Sequence, residues 1–194
     1  MKVGLYFGTF NPIHVGHLIL ANYMVENTDL EQVWFVVTPH NPFKEKSTLL
    51  DDHHRLSIVK IAIDDNPHLR ASDIEFGMIQ PNYTIHTLTA LNEKYPTYSF
   101  ELIMGEDNIL GFNKWYNYEE ILKKYPIHVY PRVGSEKSQQ RPDFGIGKIT
   151  YHDNAPVMQI SASIIRSFIQ EKKNVRYLLT DPVYNYIDEM NFYK

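Results

Sequence analysis

No cysteine occurs among the 194 residues. That excludes a disulfide framework, a thiolate metal site and a cysteine nucleophile. No apolar run approaches the ~20 residues of a membrane span. The opening Met1-Lys2-Val3-Gly4-Leu5-Tyr6-Phe7 is too short an apolar stretch for a signal peptide. A soluble cytoplasmic protein is the resulting expectation. An excess of positive charge is missing as well: 19 Lys and Arg stand against 23 Asp and Glu, a formal charge of −4. Nothing therefore attracts nucleic acid or an anionic membrane in general, and a phosphate-bearing ligand must be held by local donors. Internal repeats and low-complexity blocks are also absent. What is present is a globular composition, 43% apolar and 22% charged, which rules out a disordered or fibrous chain. The length suits one domain over residues 1–194, with a helical extension from about residue 154.

Short stretches rich in branched and aromatic residues predict strands at Val3–Phe7, Gln32–Thr38, Tyr98–Met104 and Ile127–Tyr130, with a weaker one at Lys148–Tyr151. Helical patterns lie between them, at Leu18–Glu26, Asp52–Ile63, Thr84–Lys94 and Tyr118–Tyr125. In the second of these, Leu56, Val59 and Ile63 form one apolar stripe, widened by Ile58 and Ala62. Two more helices, Ser161–Lys172 and Asp181–Met190, follow near the end, the latter with Pro182 in its first turn. Alternating strands and helices predict a Rossmann-like, doubly wound α/β fold with a parallel sheet covered on both faces. In such sheets ligands gather beyond the C-terminal ends of the strands. Four segments fall there: Gly8–Gly16, the loop Pro39–Ser47, Gly105–Trp115 and the loop Pro131–Gly147.

The segment Gly8-Thr9-Phe10-Asn11-Pro12-Ile13-His14-Val15-Gly16-His17 is the most informative. It leaves a strand and opens a helix, where unpaired N–H groups and the helix dipole favour an anion. Gly8 lets backbone approach a phosphate. His14 and His17, three apart, share one side of the first helical turn, and Gly16 removes a side chain from between them. Taken alone, the pair also fits two ordinary polar residues at a helix start. A zinc site would need a third ligand, and no Glu or His stands at matching spacing, so no metal ligand set is assigned. A Gly-x-Gly-x-x-Gly dinucleotide turn is absent.

In its strand–turn–helix setting the string resembles the signature of the nucleotidyltransferase superfamily, whose His-x-Gly-His element binds triphosphates; here it reads His14-Val15-Gly16-His17. Ile160-Ser161-Ala162-Ser163-Ile164-Ile165-Arg166 resembles the Ile-Ser-x-Ser/Thr-x-x-Arg motif of the adenylyltransferase branch. Independently of the family, Ser161 is a candidate N-cap with Ser163 and Arg166 along the following turn, a set able to surround pyrophosphate. It equally fits a capped amphipathic helix with a solvated arginine. Asn82-Tyr83-Thr84-Ile85-His86-Thr87-Leu88, Ile103-Met104-Gly105-Glu106-Asp107-Asn108 and Phe112-Asn113-Lys114-Trp115-Tyr116 look like segments of bacterial nicotinate-nucleotide adenylyltransferases. So does the Tyr-rich ending, Leu179–Tyr193. There are two departures. Phe7-Gly8 replaces the family's Gly-Gly, and Asn41-Pro42-Phe43-Lys44 replaces Pro-Pro-His-Lys/Arg, leaving Lys44 as the loop's cation.

The resemblance implies transfer of the adenylyl group of ATP to nicotinate mononucleotide, giving nicotinate adenine dinucleotide and pyrophosphate, with Mg²⁺ carried mainly by the ATP phosphates. It assigns catalysis to His14 and His17, and ATP or phosphate contacts to Gly8, Thr9, Phe10, Gly16, Lys44, Gly105, Asp107, Arg132, Ser161, Ser163 and Arg166. Asp107 would accept hydrogen bonds from ribose or adenine, or simply begin a helix. Tyr83 and Thr84 open a helix whose N–H groups suit the nicotinate carboxylate, and Trp115 with Tyr116 offers flat faces to the pyridine ring. Trp115 fits a core position equally well. The alternatives are a nicotinamide-preferring or dual-specificity enzyme, phosphopantetheine adenylyltransferase, and a non-catalytic adenine-nucleotide-binding regulator. The 14 tyrosines leave room for a homo-oligomer interface without showing one.

Overall fold

The computed structural model describes residues 1–39, 49–133 and 141–194. Its elements, in chain order, are β1 (Lys2–Gly8), α1 (Val15–Asn27), β2 (Gln32–Val37), α2 (Asp52–Ala62), β3 (Leu69–Ser72), α3 (Thr84–Lys94), β4 (Ser99–Gly105), α4 (Glu106–Ile109), α5 (Tyr118–Lys124), β5 (Ile127–Tyr130), β6 (Ile149–Tyr151), α6 (Ala162–Gln170) and α7 (Asp181–Glu189). Six parallel strands form one sheet in the order β3-β2-β1-β4-β5-β6. The winding direction reverses between β1 and β4, so the expected doubly wound α/β fold is observed. In sheets of this kind the ligand site falls at that reversal, here beyond Gly8 and Gly105, which end those two strands.

Strand alternation divides the core in two. Val3 and Leu5 of β1, Trp34 and Val36 of β2, and Phe100, Leu102 and Met104 of β4 pack on Leu88, Leu91, Ile121 and Leu122 from α3 and α5. The opposite face presents Tyr6, Phe35, Ile103 and Tyr130 to Leu20, Met24, Leu56 and Val59 of α1 and α2. The same cluster takes in Ile165 of α6 and Val183 and Ile187 of α7, so the late helices share the sheet's core. Burial of each such side chain is worth about 1.5–3 kcal/mol.

Local chemistry sets the helix ends. Asp51 caps α2 by accepting from the His53 N–H at 2.9 Å, and Lys60 lies in its last turn. Pro182 sits in the first turn of α7. The helix α1 begins at Val15, earlier than periodicity predicts, because the His14 carbonyl already accepts from the His17 N–H at 2.9 Å. β3 was not predicted. It pairs with β2, and its Arg70 guanidinium lies 4.3 Å from the centre of the buried Trp34 ring. Gly4 is required by packing, since a Cβ there would lie 2.6 Å from Ile103 Cδ1.

Beneath α1 three titratable groups form a chain across the sheet. His128 Nε2 lies 2.7 Å from Glu101 Oε2, and His128 Nδ1 lies 2.8 Å from His152 Nε2. Glu101 and His128 are buried, and the chain ties β4 to β5 and to the residue following β6.

Candidate active site

The turn from β1 to α1 is built around Phe10. Phe10 has a left-handed backbone (φ 45°), and its ring is buried in the core. A Cβ on Gly8 would come within 2.8 Å of that ring, so the small residue at position 8 makes room for Phe10. The sequence alone pointed to a ligand for that space. Phe10 in turn supports His17, edge to face, with 5.2 Å between ring centres.

His14 is the N-cap of α1, with extended backbone. Its N–H donates to His17 Nδ1 at 3.2 Å. That bond makes Nδ1 the acceptor, so His17 carries its ring hydrogen on Nε2 when neutral. The two imidazoles stack, 3.7 Å apart and 24° from parallel. His14 is buried, and its Nδ1 has no hydrogen-bond partner among the described residues. Burial, followed by the nearby Arg132 guanidinium, lowers its pKa from 6.5 to about 4. At neutral pH it is an uncharged imidazole beside the mouth of a helix.

The second motif abuts the first. A Cβ on Gly16 would lie 2.6 Å from Ile160 Cγ2 and 3.0 Å from His14 Nδ1, so Gly16 is where the start of α6 closes on the start of α1. Ser161 caps α6, its Oγ accepting from the Ile164 N–H at 3.3 Å. Arg166 Nη1 donates to the Asn11 carbonyl at 2.7 Å, and Nη2 to Ser163 Oγ at 3.4 Å. The serines, the guanidinium and the histidine turn thus meet through named contacts.

From the β4 side, Asp107 lies in the first turn of α4, which Gly105 caps. Asp107 Oδ1 is 3.4 Å from Arg132 Nε. A Cβ on Gly105 would strike both side chains, at 2.4 Å and 2.9 Å. Arg132 also donates to the Tyr130 hydroxyl at 3.2 Å, which is 3.0 Å from the buried Tyr6 hydroxyl.

The aromatic group forms a separate cluster. Tyr83, the N-cap of α3, offers no side-chain cap to the first N–H groups. Its ring lies 4.8 Å from that of Tyr116 and 5.7 Å from that of His86. Trp115 is half-buried against Phe112, 4.9 Å between centres. Thr84 begins α3, as predicted. Lys44 lies outside the described residues, as does 134–140 of the loop after β5.

Sequence reasoning missed three residues. Arg55, fully buried, donates to the carbonyls of Thr9 (2.5 Å), Thr38 (2.9 Å), Pro39 (3.0 Å) and Leu50 (2.9 Å), and pairs with Asp52. It binds the turns after β1 and β2 to each other. Glu75, also buried, accepts from Thr87 Oγ1 at 2.7 Å while its carbonyl accepts from Asn82 Nδ2 at 3.2 Å. It braces the segment leading into Tyr83, and burial raises its pKa. Arg141 joins Glu106 to Asp153. In an isolated sequence each reads as an ordinary surface charge; only helical periodicity, which puts Arg55 on the side of Leu56 and Val59, hinted at burial.

Residues 5–168 match the cytidylyltransferase-like family. A probable nicotinate-nucleotide adenylyltransferase of Flavobacterium psychrophilum is 54% identical over 194 residues, covering the whole of both chains. One of Bacteroides fragilis is 44% identical over 188 residues, covering 96% of this chain and 90% of its own. Among solved structures, a Plasmodium falciparum nicotinic acid mononucleotide adenylyltransferase complexed with NaAD shares the fold. Its TM-score is 0.75 at 18% identity, over 99% of this chain and 97% of that one. The chain belongs to the nicotinate-nucleotide adenylyltransferase family, within the wider cytidylyltransferase-like group.

Proposed function

We propose that this protein transfers the adenylyl group of ATP to nicotinate mononucleotide, releasing pyrophosphate and forming nicotinate adenine dinucleotide. The observation that carries the reading is the stacked His14–His17 pair at the opening of α1, with the Ser161 cap of α6 closed against it at Gly16. Two helix N-termini and a guanidinium there supply donors for a triphosphate that the net charge of −4 does not attract in general.

The mononucleotide's phosphate oxygen attacks the α-phosphorus of ATP in line. One P–O bond forms as the bond to the β-phosphate oxygen breaks, and the electron pair leaves with pyrophosphate. No protein nucleophile takes part, so catalysis consists of positioning and charge stabilisation. His17 Nε2–H, fixed in that tautomer by His14, donates to the phosphate oxygens that gain charge. Neutral His14 sets the pair's geometry and adds a second donor. Arg166, Ser161 and Ser163 receive the departing pyrophosphate, while Gly8, Thr9, Phe10 and Gly16 shape the turn. Gly105, Asp107 and Arg132 meet the nucleoside, and Lys44 adds a cation from the loop after β2.

Among the described residues no group of three His, Cys, Asp or Glu side chains is arranged to hold a metal ion. In this reading a divalent cation such as Mg²⁺ would be held mainly by the phosphate oxygens of ATP and would neutralise part of their charge. The uncapped N–H groups at Thr84 receive the nicotinate carboxylate, and an amide would set its NH₂ against the same donors. Tyr83, Trp115 and Tyr116 supply the aromatic faces.

The test is pyrophosphate release on mixing enzyme and MgATP with nicotinate mononucleotide, nicotinamide mononucleotide or phosphopantetheine. Release with the nicotinate compound, much faster than with the others, is expected. Equal rates with both pyridine nucleotides would replace this reading by dual specificity, and no release with any would leave a binding protein.

A further inference from the structure

The chain between β1 and α1 has no ladder or helix of its own, yet it carries two imidazoles that must keep one geometry. Side chains from remote parts of the sequence hold it. Arg55 takes the Thr9 carbonyl and Arg166 the Asn11 carbonyl. The Tyr193 hydroxyl donates to Asn11 Oδ1 at 2.7 Å, across 182 positions in sequence. The same oxygen accepts from the Leu50 N–H at 3.2 Å, which joins the turn to the start of α2, while Asn11 itself is buried.

Tyr193 reaches this place by a purpose-built route. After α7, Asn191 and Tyr193 both adopt left-handed backbone (φ 54° and 64°), which bends the chain back toward the sheet. Phe192, between them, packs 4.9 Å from the His54 ring and 5.9 Å from Tyr186. That conformation is ordinary for Asn191 just after a helix, but for Tyr193 it is unfavourable unless the surroundings repay it. Here the return is a hydrogen bond to the turn that bears the histidines. Burial raises the Tyr193 pKa, so its hydroxyl stays a donor throughout the neutral range.

We infer that Tyr193 is a positioning residue for adenylyl transfer: by holding Asn11 from beneath, it fixes the turn that aims His14 and His17, and Arg55 completes the hold from the β2 side. The inference rests on reading that turn as the triphosphate site. Neither residue needs to touch substrate.

The experiment compares Tyr193→Phe with Tyr125→Phe in the full chain. Tyr125 receives a hydrogen bond from Asn92 between α3 and α5, so both variants delete one hydroxyl from one tertiary bond. Tyr193→Phe should lower kcat about fivefold, the kinetic equivalent of one ordinary hydrogen bond, with KM for nicotinate mononucleotide unchanged. Tyr125→Phe should leave kcat as it was, although both variants melt at similarly reduced temperatures. Unchanged kcat in Tyr193→Phe, or an equal fall in Tyr125→Phe, overturns the inference. Arg55→Lys is the second arm: it keeps the charge but cannot span the carbonyls of two turns, and it should also depress kcat. Retention of wild-type kcat there removes Arg55 from the hold. His17→Ala separates the premise: full turnover in that variant refutes the site itself, whereas an inactive His17→Ala beside a fully active Tyr193→Phe refutes only the positioning role.

Discussion

Acidification offers a direct probe of His14. In the folded chain its pKa falls from 6.5 to about 4, through burial and then the field of Arg132. Below the unfolded value the unfolded chain binds a proton that the folded chain refuses, so the contribution of His14 to stability is complete above pH 6.5 and is lost as the pH drops toward 4. Each pH unit is worth about 1.4 kcal/mol, which makes the whole interval about 3 kcal/mol at most. The perturbation is His14→Gln, which keeps a polar side chain but cannot titrate. Urea unfolding followed by tryptophan fluorescence at several pH values between 7 and 4 gives the stability of both proteins. The wild type should lose about 2–3 kcal/mol more than the variant over that range. Other acid-labile groups act on both proteins equally and cancel in the difference. Saturating ATP should shrink this difference, because phosphate charge beside the stacked rings favours imidazolium. Parallel curves for the two proteins would refute the buried, neutral His14.

His17→Ala should lower turnover about 10²–10³-fold at saturating ATP, the scale of losing one preorganised donor; a fall of less than threefold in a steady-state pyrophosphate assay would contradict its role. Gly16→Ala sets a methyl group 2.6 Å from Ile160 and 3.0 Å from His14, so α6 and the imidazole must give way; KM for ATP should rise about tenfold, by analogy with other overpacked sites. Trp115→Ala should raise KM for the mononucleotide more than KM for ATP, and equal effects would make Trp115 a core residue. Arg55→Ala should cost about 3–5 kcal/mol in urea unfolding, because it strands four carbonyls and the Asp52 carboxylate.

Much of the fold is legible in the chain because strands such as Val33–Val37 and Phe100–Met104 are nearly unbroken apolar runs, which only a sheet covered on both faces explains. β3 was not legible: Leu69-Arg70-Ala71-Ser72 lies at the edge, and its four-residue alternation is too brief and too poor in branched or aromatic residues to stand out. Its existence depends on β2 offering an open ladder and on Trp34 offering a ring to Arg70. The histidine turn is readable because spacing alone puts His14 beside His17. The stacking, the fixed tautomer and the depressed pKa come from tertiary surroundings that no local pattern encodes. Arg55 and Tyr193 were hidden for the same reason. An arginine in an amphipathic helix and a tyrosine after the last helix look ordinary until the turn they grip is in place. Gly8 shows the converse, since a residue that reads as room for a ligand has a neighbour's ring to accommodate.

The Glu101–His128–His152 chain has a consequence of its own. Only a single hydrogen fits into the 2.8 Å gap between His128 Nδ1 and His152 Nε2. Charging both rings would push two N–H groups nose to nose. Burial, followed by the neighbouring His128, holds the His152 pKa below its ordinary value, and protonating His152 would break the link. In strong acid the sheet should unzip first from the β6 side, where His152 is fastened by that shared hydrogen, before the central strands let go.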